Sequence, residues 1–246
     1  MQTFTPNRVA IVTGGSGGIG RIVAERLASD GLAVAVHYAG NKDDAQEVVD
    51  TITATGGNAM LVRGDVADEA DMASAFAAIE ETFGGVDVVV HTAGRMMLAP
   101  LIDFDLTQLD ALLRTNIRGT FVVDQLAARK VRNGGAIINF SSSVVKIALP
   151  SYSAYAATKG AVDAVSLILA RELRGRDVTV NAVAPGPTAT PLFLNGKSEE
   201  TVNNLSNMAP LQRLGTPADI AEAVSFLAGP ARWVNGQTVY VNGGVI

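Results

Sequence analysis

The chain has 246 residues, a formal charge of -5 from 19 Lys+Arg against 24 Asp+Glu, two histidines and no cysteine. The missing cysteine excludes disulfides, thiolate metal ligands and a cysteine nucleophile, and His37 and His91 offer no metal-ligand spacing. The acidic balance argues against a nucleic-acid partner, and 48% hydrophobic but only 5% aromatic residues point to an aliphatic core of the kind a parallel sheet needs.

Met1 to Arg8 lacks a basic region followed by an apolar stretch, and no segment is long and apolar enough to span a bilayer, so a cytoplasmic protein without a membrane partner is expected. Short β-branched runs then alternate with segments of helical period. The strands are expected at Arg8 to Thr13, Ala33 to His37, Ala59 to Arg63, Val86 to His91, Ala136 to Phe140, Val178 to Val183 and Thr238 to Val241. Seven strands with helices between them predict an α/β fold. With no linker or repeat to divide the chain, residues 1–246 read as one Rossmann-type domain, a doubly wound parallel sheet with helices on both faces.

Helix ends carry their own signals. Thr216-Pro217-Ala218-Asp219 reads as a cap, a first-turn proline and a carboxylate, with Gly229-Pro230 as the stop. Gly175 is expected to end the segment that starts near Ser151. The stretch 193–211 is polar and weakly periodic, either a lid over a pocket or a surface excursion.

Directly after the first strand comes Thr13-Gly14-Gly15-Ser16-Gly17-Gly18-Ile19-Gly20, then a helical stretch with Ile22, Val23 and Leu27 on one face. Glycine lets the backbone turn tightly and approach a pyrophosphate, and the helix N-terminus offers free N–H groups to the anion. Two registers fit: Gly15, Gly17 and Gly20, or Gly14, Gly18 and Gly20. The end of the second strand reads Val36-His37-Tyr38-Ala39-Gly40-Asn41-Lys42, with no carboxylate before Asp43 to hold a ribose 2′-hydroxyl. Ser16, Asn41 and Lys42 would instead suit a 2′-phosphate, so NADP(H) is preferred over NAD(H).

Tyr155 and Lys159 stand four residues apart at the start of an expected helix, on one face. A free phenol ionises near about 10, and a fixed ammonium close by is expected to lower that value.

Taken together, the turn from Thr13 to Gly20, Asp65, Ala93-Gly94, Asn116, Ser142, Tyr155, Lys159, Pro185-Gly186 and the stretch Gly236-Gln237 to Gly243-Gly244 resemble the short-chain dehydrogenases/reductases. The likeness is to their compact subgroup of 3-oxoacyl-carrier-protein reductases and carbonyl reductases, and it covers essentially the whole chain. The resemblance implies that Ser142 hydrogen-bonds the substrate oxygen while Tyr155 protonates it. Lys159 would bind the nicotinamide ribose, and the Asn116 carbonyl would hold a water leading to bulk. Ser141 and Ser143 flank Ser142, and only the family spacing selects among the three hydroxyls.

The cofactor set implied by the likeness runs from Gly14, Ser16, Gly18, Ile19 and Gly20 to Tyr38, Asn41 and Lys42. It continues with Asp65 and Val66 at the adenine, Ala93 and Gly94, and Pro185 and Gly186, with Thr188 and Thr190 at the carboxamide. The chain departs from the pattern at His91-Thr92, where relatives have Asn-Asn. It departs again at Gly17, where NADPH users often carry a basic residue, at Thr188 and at Asn242. His91 reads as a satisfied strand-end histidine.

The leading expectation is an NADPH-dependent oxidoreductase interconverting a small-molecule ketone and a secondary alcohol. A dedicated 3-oxoacyl-carrier-protein reductase is the near rival, and a cofactor-binding regulatory protein without turnover is the alternative of another class. Met96 and Met97, with Val144, Lys146, Leu149, Tyr152, Leu192 and Phe193, are expected at the substrate pocket. The resemblance also implies a homotetramer, and Ala156, Ala157, Gly160 and Ala161 would let their helix pack closely.

Overall fold

The computed structural model describes residues 8–246, so the expectation drawn from Met1 to Asn7 lies outside them. In chain order Val9–Thr13 (β1) leads through Gly18–Ser29 (α1) to Ala33–Tyr38 (β2), and Lys42–Ala54 (α2) leads to Ala59–Arg63 (β3). Glu69–Phe83 (α3) precedes Val86–His91 (β4); Leu106–Leu113 (α4) and Gly119–Lys130 (α5) precede Val131–Phe140 (β5). Val144–Ile147 (α6) and Ser153–Glu172 (α7) lead to Thr179–Pro185 (β6). Pro191–Leu194 (α8), Glu199–Asn207 (α9) and Pro217–Ala228 (α10) come before the last strand, Thr238–Val241 (β7).

All seven expected strands form, in one parallel sheet of order β3-β2-β1-β4-β5-β6-β7. The order reverses between β1 and β4, and the carboxyl ends of those strands part to leave a crevice there. β1, β2 and β4 are buried along their whole length, as their unbroken apolar runs require, while the edge strand β7 is only half-buried. On one face α1, α2 and α10 cover Val12, Val36, Val90 and Ile138. On the other α3, α5 and α7 cover Ile11, Val89 and Ile137.

Local chemistry sets the helix ends. Thr216 and Asp219 form the expected capping box on α10, with Pro217 in the first turn. Asp68 caps α3 by accepting from the Ala70 and Asp71 amides, and Gly84 closes it in the left-handed region at φ 83°. The helix holding Tyr155 stops at Glu172, before Gly175, which instead shapes the following turn at φ 86°. Within 193–211 the weak period conceals α9, which Ser198 caps by accepting from the Thr201 amide. Among the described residues no helix is long and apolar enough to cross a membrane.

Candidate active site

The turn after β1 resolves the two glycine registers. Gly14 sits at φ 66° and Gly18 at φ 53°, where side chains are strained, whereas Gly17 is extended with open space around it. A Cβ on Gly20 would meet the Gly14 carbonyl oxygen and the Thr92 hydroxyl well inside van der Waals contact. Gly14, Gly18 and Gly20 are therefore the register that the backbone demands. No side chain caps α1, unlike α2, α3 and α10, so the amides of its first turn stay free for an anion. A glycine cradle ending on an uncapped helix fits a dinucleotide pyrophosphate.

From this turn a cavity of about 470 Å³ runs along the carboxyl edge of the sheet. It gathers Gly14, Gly18, Ile19 and Gly20 with Ala93 and Gly94. At its far end it meets Ser142, Tyr155 and Lys159, and Pro185, Gly186, Thr188 and Thr190 form its floor. The other sequence-level candidates do not line it. Asn41 caps α2, and its amide also bonds the Asp44 carboxylate, which does line the cavity. Lys42 is exposed, Tyr38 is buried at the end of β2, Ser16 is half-buried in the turn, and Val66 packs in the core under α3 and α5. Asp65 pairs with Arg114 at 2.5 Å and accepts from the Ala67 amide, which together hold its carboxyl low despite partial burial.

The three adjacent serines have different surroundings. Ser141 is buried and donates to the Lys159 carbonyl, and buried Ser143 donates to the Ala184 carbonyl. Ser142 alone is only half-buried; its hydroxyl accepts from the Val144 amide at 3.3 Å, donates to no carbonyl among the described residues, and shares the cavity wall with Tyr155. Structure thus separates hydroxyls that the string Ser141-Ser142-Ser143 leaves equivalent.

One expectation is corrected here: the phenol is raised, not lowered. The Lys159 Nζ lies 5.7 Å from the centre of the Tyr155 ring and donates instead to the Phe140 carbonyl at 2.7 Å. Burial therefore dominates and pushes the phenol up to about 12, with Ser142 pulling downward and Tyr152 adding to the rise. The same burial lowers the Lys159 ammonium to about 8, opposed by Asp163.

Asn116 stands behind this pair, in a single π turn, Arg114–Arg118, between α4 and α5. Its side chain brackets Arg95, accepting from the Arg95 amide and donating to the Arg95 carbonyl, both at 2.8 Å, and it also donates to the Thr158 hydroxyl. Its own carbonyl accepts from the Thr120 hydroxyl at 2.7 Å. His91 is also corrected: Nδ1 meets the Thr13 hydroxyl at 2.7 Å, but buried Nε2 has no protein partner.

Of the expected pocket residues, Met96, Val144, Leu149, Tyr152, Leu192 and Phe193 line the cavity, while Met97 and Lys146 do not. Arg95, Ile147 and Leu205 line it without having been anticipated. Arg95 directly follows Ala93-Gly94, a position the sequence offered. Leu205 reaches the cavity from α9, so its polar neighbours hid it.

A family model described as Enoyl-(Acyl carrier protein) reductase matches residues 14–246. A short-chain type dehydrogenase/reductase of Picea abies is 41% identical, covering 97% of this chain and 92% of its own. A 3-oxoacyl-[acyl-carrier-protein] reductase of Staphylococcus epidermidis is 38% identical over 97% and 99%. The crystal structure of a short chain dehydrogenase from Burkholderia cenocepacia in complex with NADP superposes with a TM-score of 0.92, at 36% identity and 98% coverage of both chains. The chain belongs to the short-chain dehydrogenase/reductase family, a family of oxidoreductases that bind a nicotinamide cofactor.

Proposed function

We propose that this protein is an NADPH-dependent reductase of ketones to secondary alcohols, with residues 1–246 acting as one cofactor-binding domain. The observation that carries the reading is that Ser142, Tyr155 and Lys159 share the wall of one cavity that continues into the glycine cradle. When bound, the nicotinamide supplies the hydride. Ser142 holds the substrate oxygen, and Tyr155 Oη passes its proton to that oxygen as negative charge develops. A phenol raised to about 12 stays protonated at neutral pH, which suits reduction, and the reverse oxidation gains as pH rises. Lys159, held by the Phe140 carbonyl, and Asn116, whose side chain bonds Arg95 and Thr158, lie behind the phenol as the route for its reprotonation.

The cofactor preference rests on Ser16, Asn41 and Lys42 and on the NADP complex of the Burkholderia cenocepacia relative. Asp44 at the same end of the cavity opposes it. The test is ketone-dependent oxidation of both cofactors. NADPH is expected to give the higher kcat/KM, and Tyr155→Phe is expected to lower turnover by about a thousandfold or more. Full activity of that variant sinks the mechanism, and cofactor binding without turnover on any carbonyl favours a regulatory role. A marked preference for a 3-oxoacyl thioester over simple ketones would favour the carrier-protein reading, which the Staphylococcus epidermidis relative supports.

In this reading the protein works in the cytoplasm as a homotetramer. Leu101, Ile102, Phe121, Ile168 and Trp233 are large apolar side chains exposed by 55% or more, as a subunit interface would require. Sedimentation equilibrium at four times the chain mass is expected, and a monomer under the same conditions refutes it.

A further inference from the structure

Building on the ketone-reductase reading, we propose that Arg95 selects ketone substrates that also carry a carboxylate, making this a reductase of oxo acids. Arg95 lines the cavity on the side of Tyr155 and Lys159, where a Cβ on its neighbour Gly94 would lie 3.6 Å from Lys159 Nζ. Its backbone is held on both sides by the Asn116 side chain, so its Cα keeps a fixed place relative to the reacting groups.

Its guanidinium is exposed and has no hydrogen-bond or carboxylate partner among the described residues. Among the described residues Arg95 is the one arginine in the cavity lining, whereas Arg114, Arg118, Arg132 and Arg213 are held by Asp65, Glu69, Asp87 and Asp219. The other cation of the cavity, Lys159, is held at the phenol by the Phe140 carbonyl. Lys197, near the opposite wall, donates to the Phe193 carbonyl.

The rest of the substrate end is uncharged. Met96, Ile147, Leu149, Leu192, Phe193 and Leu205 offer an anion nothing, and Asp44 lies at the nucleotide end. A planar guanidinium matches a carboxylate through two parallel N–H···O bonds, and the match strengthens as a substrate displaces water from the cavity. Fixed at one end by Ser142 and Tyr155 and at the other by Arg95, a substrate is selected by the chain length between its ketone and its carboxylate.

The test uses the enzyme with NADPH on 2-, 3-, 4- and 5-oxo acids, each against its methyl ester. One chain length is expected to show a kcat/KM for the acid about tenfold or more above that for the ester, with the advantage shrinking at high salt. Arg95→Met is expected to cut that acid-to-ester ratio about tenfold or more, and Arg95→Lys to restore part of it. Wild-type preference for the esters, or a ratio unchanged in Arg95→Met, overturns the inference while Tyr155-dependent turnover of the esters leaves the ketone-reductase reading standing. A raised KM for NADPH in Arg95→Met, with the ratio intact, assigns the residue to the cofactor instead. Absence of turnover on every ester and acid removes both readings.

Discussion

The two faces of the sheet are built from the same strands but do different work. Under α1, α2 and α10 the rows of β1, β2, β4 and β5 are apolar to the carboxyl edge, ending in Val12, Val36, Val90 and Phe140, and buried Thr179 and Asn181 of β6 are the polar exceptions. Under α3, α5 and α7 the core is equally apolar until the last row, where Thr13, His91 and Asn139 stand side by side in register. Asn139 donates to Asp124 of α5 and Ser166 of α7, and the carboxylate and amide each keep one buried oxygen without a protein partner. Buried polar atoms cost stability unless paired. The contrast teaches that apolar burial stabilises both faces, while the polar row on one of them lies beneath the strand ends that carry the candidate chemistry.

That contrast can be broken experimentally. The largest effect is expected on the aliphatic face, where Leu27→Ala, at a side chain 1% exposed, should cost about 2–5 kcal/mol in urea denaturation, equally at all pH values. A cost well below that range would mean the face is looser than its burial implies.

On the polar face the effect should instead depend on pH. Burial raises the Asp124 carboxyl to about 7, opposed by Asn139, whereas an unfolded aspartate ionises near about 4. The folded state therefore holds the extra proton between those values, and the Asp124 contribution to stability falls as pH rises through that window. Asp124→Asn cannot ionise, so its stability relative to wild type should grow from about pH 4 to about pH 7, on the order of 2–4 kcal/mol. A constant offset at both ends would show that Asp124 is not the titrating group. Taking the difference between the two proteins cancels the opposite slope from His37 and His91, which burial lowers to about 4 and about 3.

The smallest of the three is Thr13→Val, which keeps the shape but strips His91 Nδ1 of its partner and the Ala93 amide of an acceptor. A loss of about 1–3 kcal/mol is expected by the same denaturation. No loss would mean that His91 finds another partner, and the polar row would then be less constrained than its geometry implies.

Much of the molecule was legible because its causes are local. Seven apolar runs announced seven strands, the Thr216-Pro217-Ala218-Asp219 cap announced α10, and the spacing of Tyr155 and Lys159 placed both on one helical face. α9 was missed because an exposed amphipathic helix with one buried residue, Leu205, leaves little period to read. The pairing of Asn139 with Asp124 and Ser166 was missed because those residues are 15 and 27 positions apart from it and no short motif joins them.

By itself, then, the order of residues determined the strands, the phosphate turn and the tyrosine-lysine pair, since each follows from periodicity or from neighbours within a few positions. Only the tertiary structure decided that Ser142, unlike its two buried neighbours, donates to no carbonyl, and that burial raises the phenol instead of letting it fall. It also decided that Arg95 stands unpaired in the cavity. Those outcomes depend on what distant segments bring within a few ångströms, and both desolvation and pairing are properties of that assembled environment.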